Sequence, residues 1–168
     1  MSQTHEFKPF TQPRRAEVSA WVMAIVVLIV AKILSQGNGS PSLVTWLLSL
    51  FFLISAASIS FGNWLDANTL LNISKDKIAF KNGLRNVTFA WHEIETVQVH
   101  PSKWGDRVFV LSNKAKFSFQ MTGQVTISGK NQQTGFSQGK AILETIVDKG
   151  GLEAKQSESN GKYYYIKS

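Results

Sequence analysis

The chain contains no cysteine. That excludes disulfides, thiol nucleophiles and any zinc site built on thiolates. Histidine is nearly as scarce: His5, His92 and His100 are the three present, scattered through the chain. His92-Glu93 starts like a zinc-protease helix, but that motif needs a second histidine four positions after the first, and position 96 is Thr. Ser128-Gly129 and Ser60-Phe61-Gly62 are not nucleophile elbows, and the stretch Gly123 to Gly129 lacks the Lys-hydroxyl ending of a phosphate-binding loop. Paired carboxylates suited to acid–base work are missing too. These absences leave no catalytic residue, no metal ligand set, no cofactor and no small-molecule substrate to nominate. The expectation is a protein that is not an enzyme.

Charge is absent from one region rather than from the whole. Residues 18–65 are almost free of it, whereas residues 66–168 hold 14 Lys/Arg against 9 Asp/Glu. The formal charge of +7 and a mean hydropathy near zero therefore average two unlike parts. Residues 43–65, LVTWLLSLFFLISAASISFGNWL, carry neither charge nor proline. At about 1.5 Å per helical residue they reach roughly 34 Å, enough to cross a hydrocarbon core of about 30 Å with some tilt. Residues 18–34 form a second apolar run, interrupted only by Ser19 and Lys32, and no small-x-small cleavage site follows it. Lys32 lies near enough to the helix end to snorkel.

The spacing predicts a polar tail over 1–17, membrane helices over 18–34 and 43–65, and a short extracytoplasmic turn over 35–42. Lys8, Arg14 and Arg15 precede the first helix, basic residues abound beyond the second, and the connector has none. The positive-inside rule then puts both termini in the cytoplasm. Trp21, Trp46 and Trp64 fall near span ends, as interfacial anchors do. Ala56 with Ser60 and Ser58 with Gly62 repeat small side chains at four-residue spacing, as do Ala20 and Ala24. Such spacing lets helix backbones approach closely, either within the hairpin or toward another copy or a membrane-protein partner. No acidic or histidine side chain lies inside either predicted span, which argues against an ion path.

Beyond Asn68 the pattern becomes short alternating runs with turn signals, the mark of a mostly-β domain over 69–150. Strands are predicted at Leu70 to Ile73 and Lys77 to Lys81. A two-residue turn at Asn82-Gly83 would pair Lys81 with Leu84, Phe80 with Arg85 and Ile78 with Val87. Ile78 and Phe80 then share a face with Val87, Phe89 and Trp91, and Lys75, Lys77 and Lys81 take the other. Trp91 to Ile94 bends the chain, Arg107 to Ser112 is apolar on both faces and so central, and Phe117, Phe119 and Met121 alternate with polar residues. Val125 and Ile127 mark one more strand, and 129–135 reads as a polar loop. A helix follows, with Ser137 as N-cap, Ile142, Leu143, Ile146 and Val147 as its apolar stripe, and Gly150-Gly151 as its stop. Residues 151–168 read as a tail, in which Tyr163 to Ile166 fits either a last strand or an apolar end.

Six or seven strands followed by a helix is the plan of a pleckstrin-homology-like (PH-like), partly open barrel. Leu71-Asn72-Ile73 with Ile78, and Trp91-His92-Glu93-Ile94-Glu95-Thr96-Val97, resemble the L-x-I and W-x-E-I-x-x-V segments of the bacterial PH-like family, whose members are tethered by one or two N-terminal spans. The resemblance covers roughly residues 17–150, and its motifs are core and bend residues. It implies a membrane-anchored, non-catalytic binding or scaffold module at the bacterial plasma membrane. Photosystem assembly factors share a similar plan of two spans and a basic domain, so an accessory or assembly subunit of a transporter or photosystem type, acting through its helix pair, is the alternative.

Eukaryotic PH domains that hold phosphoinositides place basic residues around their first hairpin. Lys75, Lys77 and Lys81, with Arg85 past the tip, occupy that position here and suit an ordinary solvated face, anionic headgroups or an acidic partner. Nucleic acid is not expected, because Phe80, Phe89 and Trp91 face away from the lysines.

Having no native cysteine, the chain suits topology mapping. A single cysteine placed in 35–42 should react with an impermeant thiol reagent added to intact cells, and one placed in the β domain should not. Reaction of the domain cysteine from outside would reverse the orientation.

Overall fold

A computed structural model describes residues 4–11, 14–35, 43–127, 130–156 and 161–167. They fall into two units, one made of the described residues of Met1–Phe10 and Asn68–Ser168, the other of Thr11–Ala67.

The smaller unit is an antiparallel pair of helices, α1 (Arg14–Ser35) and α2 (Leu43–Ala67). Both are long and apolar enough to cross a membrane. α1 starts four residues before the expected span, taking Arg14, Arg15 and Glu17 into its first turns, and α2 runs on through Asp66 and Ala67. Apart from Ser35, the predicted turn 35–42 lies outside the described residues. Hydroxyls within the helices return to their own backbone: Ser19, Ser49, Ser55 and Ser58 each donate to a carbonyl three or four residues back. That satisfies each hydroxyl within its own helix.

The larger unit is mostly β. One antiparallel sheet has the order β1 (His5–Phe7), β2 (Leu70–Ile73), β3 (Lys77–Lys81), β4 (Asn86–Ala90). A second has the order β10 (Leu152–Gln156), β11 (Tyr163–Lys167), β5 (Ile94–His100), β6 (Arg107–Ser112), β7 (Lys116–Gln120). A two-stranded ribbon pairs β8 (Gly123–Ile127) with β9 (Lys130–Thr134), and α3 (Gly139–Gly150) follows.

Eleven strands thus replace the six or seven expected, and among the described residues the sheets do not close into one barrel. The surplus comes from segments read as tails and loops. His5–Phe7 pairs with Leu71–Ile73, so part of 1–17 is a strand. Residues 151–168 are no tail either, since β10 and β11 form a hairpin whose second strand pairs with β5. Within 129–135, Lys130–Thr134 is a strand, not a loop. As expected, Arg107–Ser112 is central, with Val108 and Val110 fully buried.

The β3–β4 hairpin differs in register from the two-residue turn. Phe80 stands opposite Val87 and Ile78 opposite Phe89, leaving a four-residue turn over 82–85. A type I′ turn needs positive φ at both central residues, and Gly83 is not among the glycines that adopt it. Instead Asn82 Oδ1 accepts the N–H groups of Leu84 at 3.0 Å and Arg85 at 2.7 Å, and Asn82 N donates to Arg85 O. A slip of two keeps every side chain on its face, so the core assignment is unchanged while apolar now meets apolar.

Phe117 of β7 joins the two sheets. Its ring stacks on Phe80 at 5.0 Å and on Phe89 at 5.6 Å. Ile142 and Ile146 of α3 are fully buried in the same core. The helix begins at Gly139, one residue later than a Ser137 cap would give, with Gln138 as N-cap and no side-chain capping bond. A side chain at Gly139 would come within 3 Å of the Met121 backbone, so close approach rather than capping selects this residue. Gly151, left-handed at φ 60°, ends the helix as expected.

The segment from Trp91 to Ile94 is a 3-10 turn that makes the corner between the sheets. Trp91 Nε1 donates to Lys75 O at 2.9 Å. Glu93 accepts from Lys114 at 2.6 Å and from Ala90 N at 2.9 Å. The Lys114 ammonium, and then the Ala90 N–H, hold the Glu93 carboxyl below the usual range. From the other side Lys149 lies 5.1 Å over the Trp91 ring and donates to Ser74 O.

Phe117→Ala should cost about 3–5 kcal/mol, because it empties the joint between two sheets that share no backbone ladder. Denaturant unfolding of the detergent-solubilised protein, followed by tryptophan fluorescence, measures it. A loss below about 1 kcal/mol would mean that the sheets are held elsewhere.

Candidate functional site

The basic residues around β3 are built outward from the corner just described. Lys77 and Lys81 are exposed on the face of β3 opposite Ile78 and Phe80. Lys75 sits in the β2–β3 turn, whose backbone is held by Trp91 and Lys149, and Arg85 sits in the β3–β4 turn at the other end of the strand. At about 3.3 Å per residue, Lys77 and Lys81 stand roughly 13 Å apart. The four cations are therefore spread along a strand and its two ends, not gathered on one phosphate. None forms an ion pair among the described residues. Such a row suits a diffuse anionic surface better than a single small anion.

In the helix pair the small residues separate into two groups. Ala56 is fully buried, as is Ala24 of α1, and Ser60 Oγ accepts the Trp21 indole N–H at 2.8 Å. Ala56 and Ser60 therefore line the seam of the hairpin. Ser58 and Gly62 do not: Ser58 is exposed and bonds to Ile54 O, and a side chain added at Gly62 would meet nothing within 4 Å. The four-residue repeat was legible in the sequence, but its two halves point to different faces because 56 and 58 lie about 200° apart around a helix.

One turn further along the seam, Asn63 Nδ2 donates to Glu17 Oε2 at 3.0 Å. The apolar pattern that marks the span starts only at Val18, so Glu17 carries no sequence signal for this polar clasp. Trp46 is exposed beside a 260 Å³ pocket reached also by Lys32 and Ser35 at the connector end, and Trp64 stacks on Phe61 at 5.9 Å. All three candidate anchors keep a substantial exposed surface.

A third feature had no sequence signal. α3 and the β10–β11 hairpin enclose a groove of about 580 Å³ lined by Leu143, Val147, Leu152 and Tyr165, with carboxylates on its rim. It depends on strands that read as a tail. Among the described residues two buried polar atoms, Asn72 Oδ1 and His100 Nε2, lack a hydrogen-bond partner, but they belong to different sheets. Among the described residues no three His, Asp or Glu side chains cluster as metal ligands would. His92, exposed on the corner, is not drawn toward any such group.

The class that fold and surface define is a β-rich domain carrying two membrane-length apolar helices. No family model, no curated protein and no solved structure matches the chain.

The two halves of the small-residue pattern should respond differently to bulk. Ala56→Leu should force the helices apart and abolish disulfide crosslinking between cysteines introduced at positions 17 and 63, whose side chains meet across the seam. Gly62→Leu should leave that crosslink intact. Equal loss in both variants would show that the seam is not where Ala56 puts it.

Proposed function

We propose that this chain is an integral protein of a bacterial inner membrane, non-catalytic, whose PH-like domain works as a binding or scaffold module on the cytoplasmic face. One observation carries the reading: β1, before α1, is hydrogen-bonded to β2, after α2. The helix pair is thus an insertion into a single sheet, and the chain leaves and re-enters the domain on one side of the bilayer. The pairing supports an even number of crossings. The basic flanks of the pair support a cytoplasmic placing. The run of strands before α3, with its apolar stripe turned into the core, supports the PH-like reading.

The domain engages a membrane-protein partner while Lys75, Lys77, Lys81 and Arg85 contact anionic headgroups. Membrane attachment raises the effective concentration of both, so weak contacts suffice. A second reading makes the protein an accessory or assembly subunit that acts through its helices. The open face at Ser58 and Gly62 favours it, since small side chains turned to lipid leave room for another helix.

Purification of the full chain from native membranes in mild detergent distinguishes the two. Under the leading reading, exchanging residues 14–67 for an unrelated two-helix hairpin keeps the co-purifying membrane protein. Loss of that protein on exchange transfers the function to the helix pair. In the same preparation, Lys75→Gln, Lys77→Gln and Lys81→Gln together should lower retained anionic lipid by about tenfold or more. Unchanged lipid would remove the lysines from the proposal.

A further inference from the structure

The groove between α3 and the β10–β11 hairpin combines three properties that are independent of one another. The first is an apolar lining. Leu143 and Leu152 form its inner part, mostly buried, while Val147 and Tyr165 are half-exposed toward the opening. The second is an open sheet edge. β10 is the last strand of its sheet, paired with β11 on one side and with no strand on the other among the described residues. Its residues Glu153 to Lys155 are exposed, so backbone donors and acceptors along that edge are accessible to an added strand. The third is charge. Glu144, Asp148 and Glu153 reach the groove against a single Lys140, which is itself 4.0 Å from Glu144. This acidic rim belongs to a chain whose formal charge is +7.

Solvation alone does not account for the combination. A protected edge strand needs charge or a cover, and Glu153 and Lys155 supply the charge. A half-exposed Tyr165 and Val147 beside that edge are not required for it. An apolar floor next to unpaired backbone is the arrangement in which an added strand gains ladder hydrogen bonds and seats alternate side chains.

We infer that this groove binds an extended, basic juxtamembrane segment of another membrane protein, which adds to the edge of β10. The inference rests on the cytoplasmic placing proposed above and names the partner class. Three arguments select this occupant. Cytoplasmic flanks of membrane proteins are enriched in Lys and Arg next to apolar residues, so they match an acidic rim around an apolar floor. They run close to the bilayer, where an anchored domain meets them at high effective concentration. Anionic lipid, the other basic-patch ligand at that surface, is repelled by the same carboxylates. The domain thereby carries two surfaces of opposite preference: the row on β3 for anions, and the groove by α3 for cations.

The test uses the full chain in nanodiscs of phosphatidylcholine, a zwitterionic lipid, and a fluorescent nine-residue peptide alternating Lys or Arg with Val or Leu. The wild-type chain should bind this peptide, with affinity falling as salt rises, and should not bind a counterpart with Glu at the basic positions. Asp148→Lys with Glu153→Lys, both surface positions, should weaken binding by about tenfold or more. A peptide N-methylated at alternate residues should also lose binding, because it cannot complete a ladder, and this control leaves the protein untouched.

Absence of binding to the wild type overturns the inference, as does undiminished binding to the charge-reversed chain. Equal binding of the N-methylated peptide overturns strand addition. Dimerisation of the full chain that is lost on the same charge reversal would make a second copy the occupant, and the partner proposal would fail. Recovery of a membrane protein from native membranes without any peptide binding would sink this site while leaving the proposed function standing.

Discussion

The ladder between His5–Phe7 and Leu71–Ile73 is the constraint on which the rest of the architecture depends. It joins residues separated by the whole helix pair. Closing so long a connection between two strands would cost loop entropy if the intervening chain were a coil, though the cost grows only slowly with length. Here the connection closes itself. The Glu17–Asn63 and Trp21–Ser60 bonds bring the start of α1 beside the end of α2, and packed helices lie about 8–10 Å apart. The segments leaving that end begin within reach of a pairing distance of about 4.8 Å. A short strand with little apolar content of its own is held by the edge that Leu71 to Ile73 offers.

That dependence explains what could be read from the sequence and what could not. The two apolar helices, the alternation of Ile78, Phe80, Val87 and Phe89, the corner at Trp91 and the stripe of α3 are local patterns, each set by its own periodicity. They were legible. His5-Glu6-Phe7 holds two polar residues of three, and its strand exists because Leu71 to Ile73 offers an edge. Lys155 and Gln156 precede a run of serine, glutamate and asparagine that looks solvated, yet Leu152–Gln156 and Tyr163–Lys167 pair along their full length. Edges are supplied by distant residues, so the strands that use them carry weak local signals. The register of β3 and β4 is a milder case. Asn82-Gly83 marked the turn correctly, but the side-chain bonds of Asn82 widened it by two residues, which parity made harmless to the core.

The candidate surfaces divide along the same line. The lysines of β3 follow from alternation and were visible at once. Their spread along one strand was visible only with the strand placed between its two turns. The small residues of α2 were visible as a repeat, but which pair faces α1 depended on the partner helix. The groove beside α3 was invisible, because one wall is a helix that could be predicted and the other is a hairpin that could not.

Anchoring by insertion also bears on how such surfaces work. A domain joined to its anchor by one linker can swivel about it, and a surface contact then pays the orientational entropy of fixing that swivel. In this chain both ends of the helix pair lead into one sheet, with two residues between Ala67 and Leu70. The basic residues of β3 and the acidic rim of the α3–β10 groove lie on separate elements. The three-residue strand β1 is what makes the helix pair an insertion into a sheet rather than an appendage to it.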